Sequence, residues 1–290
     1  MQIKNIKHPH DAHLMSKSRE NIVKLCNYFD ISLNETYAKK YKFLILQLWK
    51  YKKDSKAKKR FKTLKRLKTL LGRLIRKFER EVESRKLVLQ IHHKKQLKTI
   101  KSIHAQSALN GSAKKEYKKT NTVLYSFHAT EVECIGKGKL HKPYEFGNKV
   151  SIAVSGKNNF VLCAKSFHGN PYDGRTLDQT VERVRGILDC DLSIKKIFLD
   201  NGYKGNNFAE KGKIYSSGTK KKLGKSEKKM LKRRSSIEPI IGHLKNFGRM
   251  GRNYLKGKVG DIMNPIISAI GLNLRNISNH LISQFKPQSP

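Results

Sequence analysis

Apolar residues recur at helical spacing through the first third of the chain. Ile22, Leu25, Cys26 and Phe29 fall on one face of a helix that Asp11 would cap. A second helix is predicted to start near Asn34. Further on, apolar residues repeat at intervals of three and four positions, at Leu64, Leu67, Leu71, Leu74 and Phe78. This spacing is typical of a coiled coil or a helical hairpin, so we predict a helical arm with one apolar edge.

The pattern changes after a small, polar stretch at residues 105–121, which is typical of a linker. Short β-prone or alternating segments then predict strands at 122–127, 147–154, 160–167, 195–199 and 213–216. Helical spacing returns between Asp173 and Leu188, and again from Ser226 to the end. The final helix, about Ile262 to Ile282, is apolar enough to pack on a sheet. Strands, then helix, strand and helices, predict an α/β core with a mixed sheet.

The net charge of the chain indicates the kind of molecule that it binds. The chain has 63 Lys and Arg against 22 Asp and Glu, a net charge of +41, and such a charge is best neutralised by a polyphosphate backbone. Between Lys39 and Lys119 the only acids are Asp54, Glu79, Glu81, Glu83 and Glu116. A merely solvated helix face would carry mixed signs, so one dominant sign favours nucleic-acid binding. Ribosomal and membrane-surface proteins share this composition, and lysine-rich codon usage explains part of it.

Other classes are disfavoured. No run of eighteen apolar residues is present, and the N-terminus has no apolar signal segment, so no membrane partner is expected. The cysteines Cys26, Cys134, Cys163 and Cys190 are scattered without disulfide or zinc spacing. We therefore predict inert thiols in a reducing cytoplasm.

The first candidate catalytic residue is Asp200. The apolar segment Ile197–Leu199 ends in this carboxylate, and Asn201 and Gly202 follow. A carboxylate at the carboxyl end of a strand lies where α/β proteins place their ligand sites. The alternative is an Asp that only forms a turn before Asn-Gly.

The second candidate is Glu238, which lies in an apolar helical segment with Ile237, Ile240 and Ile241. We expect the helix to turn Glu238 towards a partly buried surface. Arg234 lies one turn before it and Lys245 about two turns after it, on nearly the same face. A carboxylate between two cations suits a metal ligand beside a phosphate, although an ordinary helical salt-bridge ladder has the same spacing.

Other polar segments carry less chemistry. Glu131 and Glu133 are either ligands or, more simply, exposed strand carboxylates, and the segment from Gly169 to Asp173 is typical of a loop with a helix cap. Gly136 to Lys139 lacks the spacing of a phosphate-binding loop. His92 and His93 have no metal-ligand partners nearby in the sequence, so we expect them at the surface.

The motifs together resemble a known family. Asp200-x-Gly202-Tyr203-x-Gly205 resembles the second-Asp motif of insertion-sequence DDE transposases, and Arg234-x3-Glu238-x6-Lys245 resembles the Arg-Glu-Lys part of their C-terminal signature. Leu231 stands where that signature usually has Tyr. Three blocks, 125–139, 169–174 and 233–243, resemble the bacterial branch called the "IS five" family.

This resemblance implies a fold and a mechanism. The fold is an α/β, ribonuclease-H-like mixed sheet core with a long basic all-helical insertion and C-terminal helices. Two Mg²⁺ ions (or Mn²⁺) held by carboxylates, here Asp200 and Glu238, activate water and then a DNA 3′-hydroxyl for attack on a phosphodiester. Arg234, Lys245 and the neighbouring Arg233 would contact DNA phosphate. The implied partners are transposon-end and target double-stranded DNA and a second subunit in a homodimer, and the implied location is the bacterial cytoplasm, at the nucleoid.

The resemblance also implies that the first catalytic Asp lies a few residues before Met1. Gln2-x-Lys4-Asn5-Ile6 and Pro9-His10-Asp11-Ala12 resemble the segments that follow this Asp in the family. We therefore expect residues 1–8 to be a stub of the first core strand, 9–118 the basic helical insertion and 119–290 the rest of the core. We therefore expect this chain to be an N-terminally truncated copy and, because it lacks the first Asp, to be inactive.

The competing interpretation is a non-enzymatic DNA- or RNA-binding protein. It needs only the basic arm and ignores both carboxylates. Such a product would act as a dominant-negative partner or a regulatory remnant. Mg²⁺-dependent nicking, measured beside binding, distinguishes the two classes.

Overall fold

The computed structural model describes residues 1–51, 54–137, 141, 143–188, 194–203, 205, 208–209, 214–216 and 224–285. Two compact units are present. One comprises Ile6–Glu131, and the other comprises Met1–Asn5 together with Val132–Pro290. The corresponding boundaries predicted from the sequence were 8/9 and 118/119. Cys190 and residue 213 lie outside the described residues.

The unit Ile6–Glu131 is helical. Its helices are α1 (Asp11–Tyr28), α2 (Ala38–Lys50), α3 (Ala57–Ser84), α4 (Ile91–Gln106) and α5 (Gly111–Thr120). In α3, Leu67, Leu71, Leu74 and Phe78 are buried, as the spacing predicts, and they form one core with residues of α1, α2 and α4. The apolar edge of α3 is thus the inner face of a small helical bundle.

Four local expectations in this unit were wrong. His93, expected at the surface, is buried on α4. Asp11 does not cap α1; it is the first helical residue, and its Oδ2 accepts a hydrogen bond from the Ala108 N–H at 3.0 Å. Part of the expected linker forms α5. Residues 122–127 form no strand, because the Gln106 amide bonds the Leu124 main-chain N–H and C=O at 2.9 and 2.7 Å and takes the place of a partner strand.

The other unit is α/β. Its strands are β1 (Gln2–Ile3), β2 (Glu133–Gly136), β3 (Tyr144–Val154), β4 (Val161–Phe167), β5 (Ile197–Leu199) and β6 (Ile214–Ser216). Its helices are α6 (Leu177–Arg185), α7 (Lys225–Arg233), α8 (Ile237–Asn246) and α9 (Gly257–Phe285). The expected strands and helices after residue 147 are therefore present within the described residues, with ends shifted by a few positions.

Strand β3 organises the larger sheet. It pairs antiparallel with β1, β2 and β4, and β1 contributes only the pairs Gln2 with Asn148 and Ile3 with Gly147. Strands β5 and β6 form a separate parallel pair. Helix α9 packs on β4, as its apolar composition predicts, and α6 packs on β3 and β4. The described sheets are thus small and mixed in direction.

A buried polar network holds β1 to the start of α9. The Lys4 ammonium donates to Asp261 Oδ1 at 2.8 Å, and both side chains are about 5% exposed. The Asn253 amide donates to the same oxygen, and the Gln2 amide donates to the Asp261 carbonyl. Buried charges are tolerated only when they are paired and hydrogen-bonded in this way.

Two further features concern the cysteines and the apolar length of the helices. Cys26, Cys134 and Cys163 are not joined in disulfides. Among the helices that the structure describes, none combines the length and the apolar composition that a membrane crossing requires.

Candidate active site

Asp200 lies immediately after the end of β5. Leu199 is buried against Leu177 and Val181 of α6, which fixes the strand on that helix. The chain then turns through a 3-10 segment at Asn201–Tyr203, so Asp200 is the first polar side chain beyond the apolar strand. Its side chain is 68% exposed. This is the strand-end position that the sequence predicts.

Arg234 connects this strand end to the helices that follow. Its Nη1 donates to Asp200 Oδ1 at 2.9 Å, and its side chain is only 24% exposed. Arg234 opens the 3-10 turn Arg234–Ser236 between α7 and α8. The ion pair therefore places the carboxyl end of β5 beside the turn that leads into α8.

Glu238 lies in the first turn of α8 and is exposed. The expectation of a partly buried Glu238 was wrong, because Ile240 and Leu244 are the residues that enter the core with β4 and α9. Glu238 therefore points away from that core. A carboxylate in the first helical turn is also stabilised by the positive end of the helix dipole.

The two other predicted cations differ in their surroundings. Lys245, in the last turn of α8, lies near the buried Met1 amino group, whose pKa is lowered to about 5 by burial and then by the charges of Lys245 and Lys137. Glu145 and Asp173 act on the same amino group in the opposite direction. Lys245 is thus one of several charged side chains that surround the Met1 amino group. Arg233 is exposed, and its guanidinium donates to the Lys157 carbonyl rather than to Asp200.

Asp173 is a polar residue beside this site for which the sequence predicts only a helix cap. Its Oδ2 lies 3.1 Å from where a Cβ would stand on Gly202, in the turn after Asp200. Its Oδ1 accepts a hydrogen bond from Lys149 Nζ on β3 at 2.9 Å. A third contact comes from the Tyr203 hydroxyl, 3.3 Å from Ser151 Oγ on the same strand. The Asp200 turn is therefore fixed against β3 by polar contacts far apart in sequence.

Glu133 supports the loop that carries Asp173. Its two carboxylate oxygens accept hydrogen bonds from the Gly169 and Asn170 main-chain N–H groups at 2.7 and 2.9 Å. The sequence left open whether Glu133 is a ligand or an exposed strand carboxylate. Instead, Glu133 is half-buried and holds this loop in place. Glu131 lies in a turn before β2 and is also half-buried.

Glu227 holds the β5–β6 pair to α7. The Lys196 ammonium, the Gly224 N–H and the Tyr215 hydroxyl all donate to its carboxylate, at 2.8, 3.0 and 3.1 Å. The hydrogen bond from Lys196, followed by that from Gly224, lowers the pKa of Glu227 to about 2. The first turn of α7 is therefore held to the β5–β6 pair.

The donor atoms suit a hard divalent cation. Within the described part of the chain, no three His, Cys, Asp or Glu side chains gather as a metal site. Mg²⁺ is nevertheless bound in many proteins by one or two carboxylates, with water and substrate phosphate completing its coordination. Asp200 and Glu238 are exposed oxygen donors of this type, and the Arg234 guanidinium lies beside Asp200.

Comparison with known proteins identifies the family. Residues 90–261, more than half of the chain, match the family model described as the transposase DDE domain. The matched region contains Asp200, Arg234, Glu238 and Lys245. Neither a curated protein nor a solved structure matches the chain. The chain therefore belongs to the transposase DDE domain family.

Proposed function

We propose that this chain is the transposase of a bacterial insertion sequence of the "IS five" type, with Asp200 and Glu238 as metal ligands of a ribonuclease-H-like core. The observation that carries the proposal is the Arg234–Asp200 ion pair. It brings Asp200, at the end of β5, beside the turn that precedes Glu238. Both carboxylates lie in the region that matches the transposase DDE domain.

The proposed chemistry is hydrolysis and transfer of a DNA phosphodiester. Bound Mg²⁺ or Mn²⁺ would activate water or a 3′-hydroxyl and neutralise charge on the phosphate oxygens. Asp200 and Glu238 would hold the cation, Arg234 would exchange Asp200 for a phosphate oxygen, and Lys245 would contact the backbone of the same DNA strand. Arg233, which donates to a main-chain carbonyl, would meet DNA further from the reaction.

The helical unit would supply most of the DNA affinity. Six exposed cations lie on the first half of α3, at Lys58, Lys59, Arg60, Lys62, Lys65 and Arg66. The acids of α3 lie near its end, where Glu79 and Glu81 pair with Lys101, Lys77 and Arg85. The first half of α3 is thus a strip of one sign, suited to a phosphate backbone.

We further propose that the 290-residue chain alone binds DNA without cutting it, at the nucleoid and as a homodimer. Two carboxylates do not offset the mutual repulsion of two divalent ions, and within the described residues Asp173, the further acid beside the Asp200 turn, is paired with Lys149.

The test is nicking of a supercoiled plasmid that carries the gene with its flanking sequence, in Mg²⁺ and in Mn²⁺. We expect no cleavage by the 290-residue chain and cleavage by a chain extended with Asp-Thr-Thr-Val before Met1. Asp200→Ala or Glu238→Ala in the extended chain should abolish the activity. Cleavage that survives both substitutions would refute the assigned residues.

The second candidate function, a non-catalytic DNA-binding protein, is favoured by the strip on α3 alone. It predicts equal DNA binding and no nicking by the two chains, with or without the extension. If the extended chain binds DNA but never cuts it, in either metal, this second function replaces the first.

A further inference from the structure

Helix α9 carries a continuous apolar ridge on the side that does not face the sheet. The ridge consists of residues spaced alternately four and three positions apart: Met263, Ile267, Ile270, Leu274, Ile277 and Leu281. Each is between 43% and 60% exposed. Alternating four–three spacing keeps side chains on one stripe of a helix and is the pattern of a helix–helix seam.

The opposite side of α9 is already occupied. Asp261, Asn264, Pro265, Ser268 and Ala269 are buried on this side. Further along, the Asn273 amide exchanges hydrogen bonds with the Val161 main chain of β4, both at 2.9 Å. The ridge is therefore not the face with which α9 packs on the sheet.

The end of α9 buries none of its side chains within the described part of the chain. Every residue from Ile277 to Phe285 is exposed, including Leu281, Ile282 and the 81% exposed Phe285. Isolated helices of about ten residues are marginal in water, since tertiary packing supplies most helix stability. A partner that covers the ridge would stabilise this end.

The scarcity of charged residues on α9 indicates which partner covers the ridge. The only Lys, Arg, Asp or Glu residues in the 29 residues of α9 are Lys258, Asp261 and Arg275, although the whole chain carries +41. DNA needs cations that this ridge lacks. A helix lying on a membrane surface would carry Lys and Arg on its polar face, whereas that face of α9 packs on the sheet. Like-charge repulsion is weakest here, so a second copy of the chain is the partner that fits.

We infer that the ridge of α9 is the interface through which two copies of this chain associate. The inference rests on the homodimer of the proposed function and assigns its surface. The two helices lie with their ridges in contact, related by a twofold axis, which makes the interface self-complementary. The positions flanking the ridge, such as Gly271 and Ser278, carry no charge that would oppose the approach.

The size of the ridge sets the expected strength. From Met263 to Leu281 it is about 27 Å long at 1.5 Å per residue. Burying its half-exposed side chains and their neighbours would remove on the order of 500 Å² per copy, near the lower limit of specific interfaces. We therefore expect a dimer that dissociates in the micromolar range.

Sedimentation velocity of the full 290-residue chain tests the inference, without DNA or metal and in high salt to screen the net charge. We expect a monomer–dimer equilibrium, weakened at least tenfold by Ile270→Asp or Leu274→Asp. Ile282→Asp is the matched control, because Ile282 is equally exposed on the same helix but lies off the ridge. A monomer at all concentrations, a trimer, or equal weakening by the control would overturn the inference.

Cross-linking keeps the test valid if an aspartate variant unfolds. Leu274→Cys should form a disulfide-linked dimer under mild oxidation, beyond the level given by the parent cysteines, and Ile282→Cys should not. Equal cross-linking at both positions would contradict the ridge interface. Because neither readout involves DNA cleavage, failure here leaves the proposed chemistry in place, and failure of the nicking test leaves the dimer in place.

Discussion

Arg234 donates a hydrogen bond to Asp200 across 34 residues of sequence, from Nη1 to Oδ1 at 2.9 Å. The pair joins a strand end to the turn before α8, and it also keeps a cation on a carboxylate that we assign to metal binding. In the proposed function a metal ion would compete with Arg234 for this oxygen. The guanidinium would then contact a phosphate once a cation occupied the carboxylate.

This competition predicts opposite effects of one substitution. Arg234→Gln should strengthen Mn²⁺ binding in the absence of DNA, by no more than about fivefold, because exposed ion pairs contribute roughly 0–1 kcal/mol. The same variant should weaken DNA binding, since glutamine brings no positive charge to the phosphate. For Mn²⁺ binding, Arg233→Gln is the control: it removes the same charge, but Arg233 bonds a carbonyl and not Asp200. Calorimetric Mn²⁺ titrations in which both variants match the parent would contradict the competition.

The strip on α3 predicts a salt dependence. Lys58→Gln with Lys62→Gln should make the log–log slope of DNA affinity against salt shallower by up to about 1.8, or about 0.9 for each phosphate that is no longer neutralised. Lys7→Gln with Lys24→Gln removes the same charge from exposed positions outside α3 and should change the slope little. The measurement is fluorescence anisotropy of a labelled duplex in a salt series. Equal changes in the two double variants would show that only net charge matters.

The buried pair Lys4–Asp261 predicts a large loss of stability. Asp261→Ala removes the carboxylate that pairs with the Lys4 ammonium at about 5% exposure and should lower the free energy of unfolding by about 3–5 kcal/mol. In the exposed pair Lys17–Glu20, Glu20→Ala should cost less than about 1 kcal/mol. Urea denaturation measures both. A small effect of Asp261→Ala would mean that β1 is not anchored by this network.

His104 predicts how the helical unit responds to acid. Burial, and then the positive charge of Lys68, lower the pKa of His104 below the usual 6.5, so the folded state favours the neutral ring. Its contribution to stability is therefore complete above about pH 6.5 and is lost as the pH falls. His104→Gln should reduce the loss of stability between pH 7 and pH 5, and His92→Gln, at an exposed site, should not. An unchanged pH profile in His104→Gln would refute this role.

How far the sequence predicts this molecule depends on the range of the interactions. The strand before Asp200 and the helical bundle residues of α3 were predicted correctly, because burial repeats with the local period of the backbone. The segment 122–127 was not, because its hydrogen-bond partner is the side chain of Gln106. The residues of this segment alone do not indicate such a distant side-chain partner.

The site shows the same division. Asp200 and Glu238 can be proposed from their motifs, yet the exposed side of Glu238 follows from which neighbouring isoleucine enters the core, Ile240 rather than Ile237. Asp173 was missed because its closeness to Gly202 depends on how two turns fold against β3. Its only signal in the sequence was a polar residue at a helix start, which most often has a capping role.

Mn²⁺ binding in the presence of duplex DNA, measured by electron paramagnetic resonance on the 290-residue chain, tests most directly whether Asp200 and Glu238 form one metal centre. Asp200→Asn and Glu238→Gln should each weaken binding at least tenfold, and the double variant should lose little more, since either carboxylate alone is insufficient. Glu116→Gln, an exposed glutamate on α5, should bind as the parent does. Parent-like Mn²⁺ binding by Asp200→Asn or by Glu238→Gln would contradict the account.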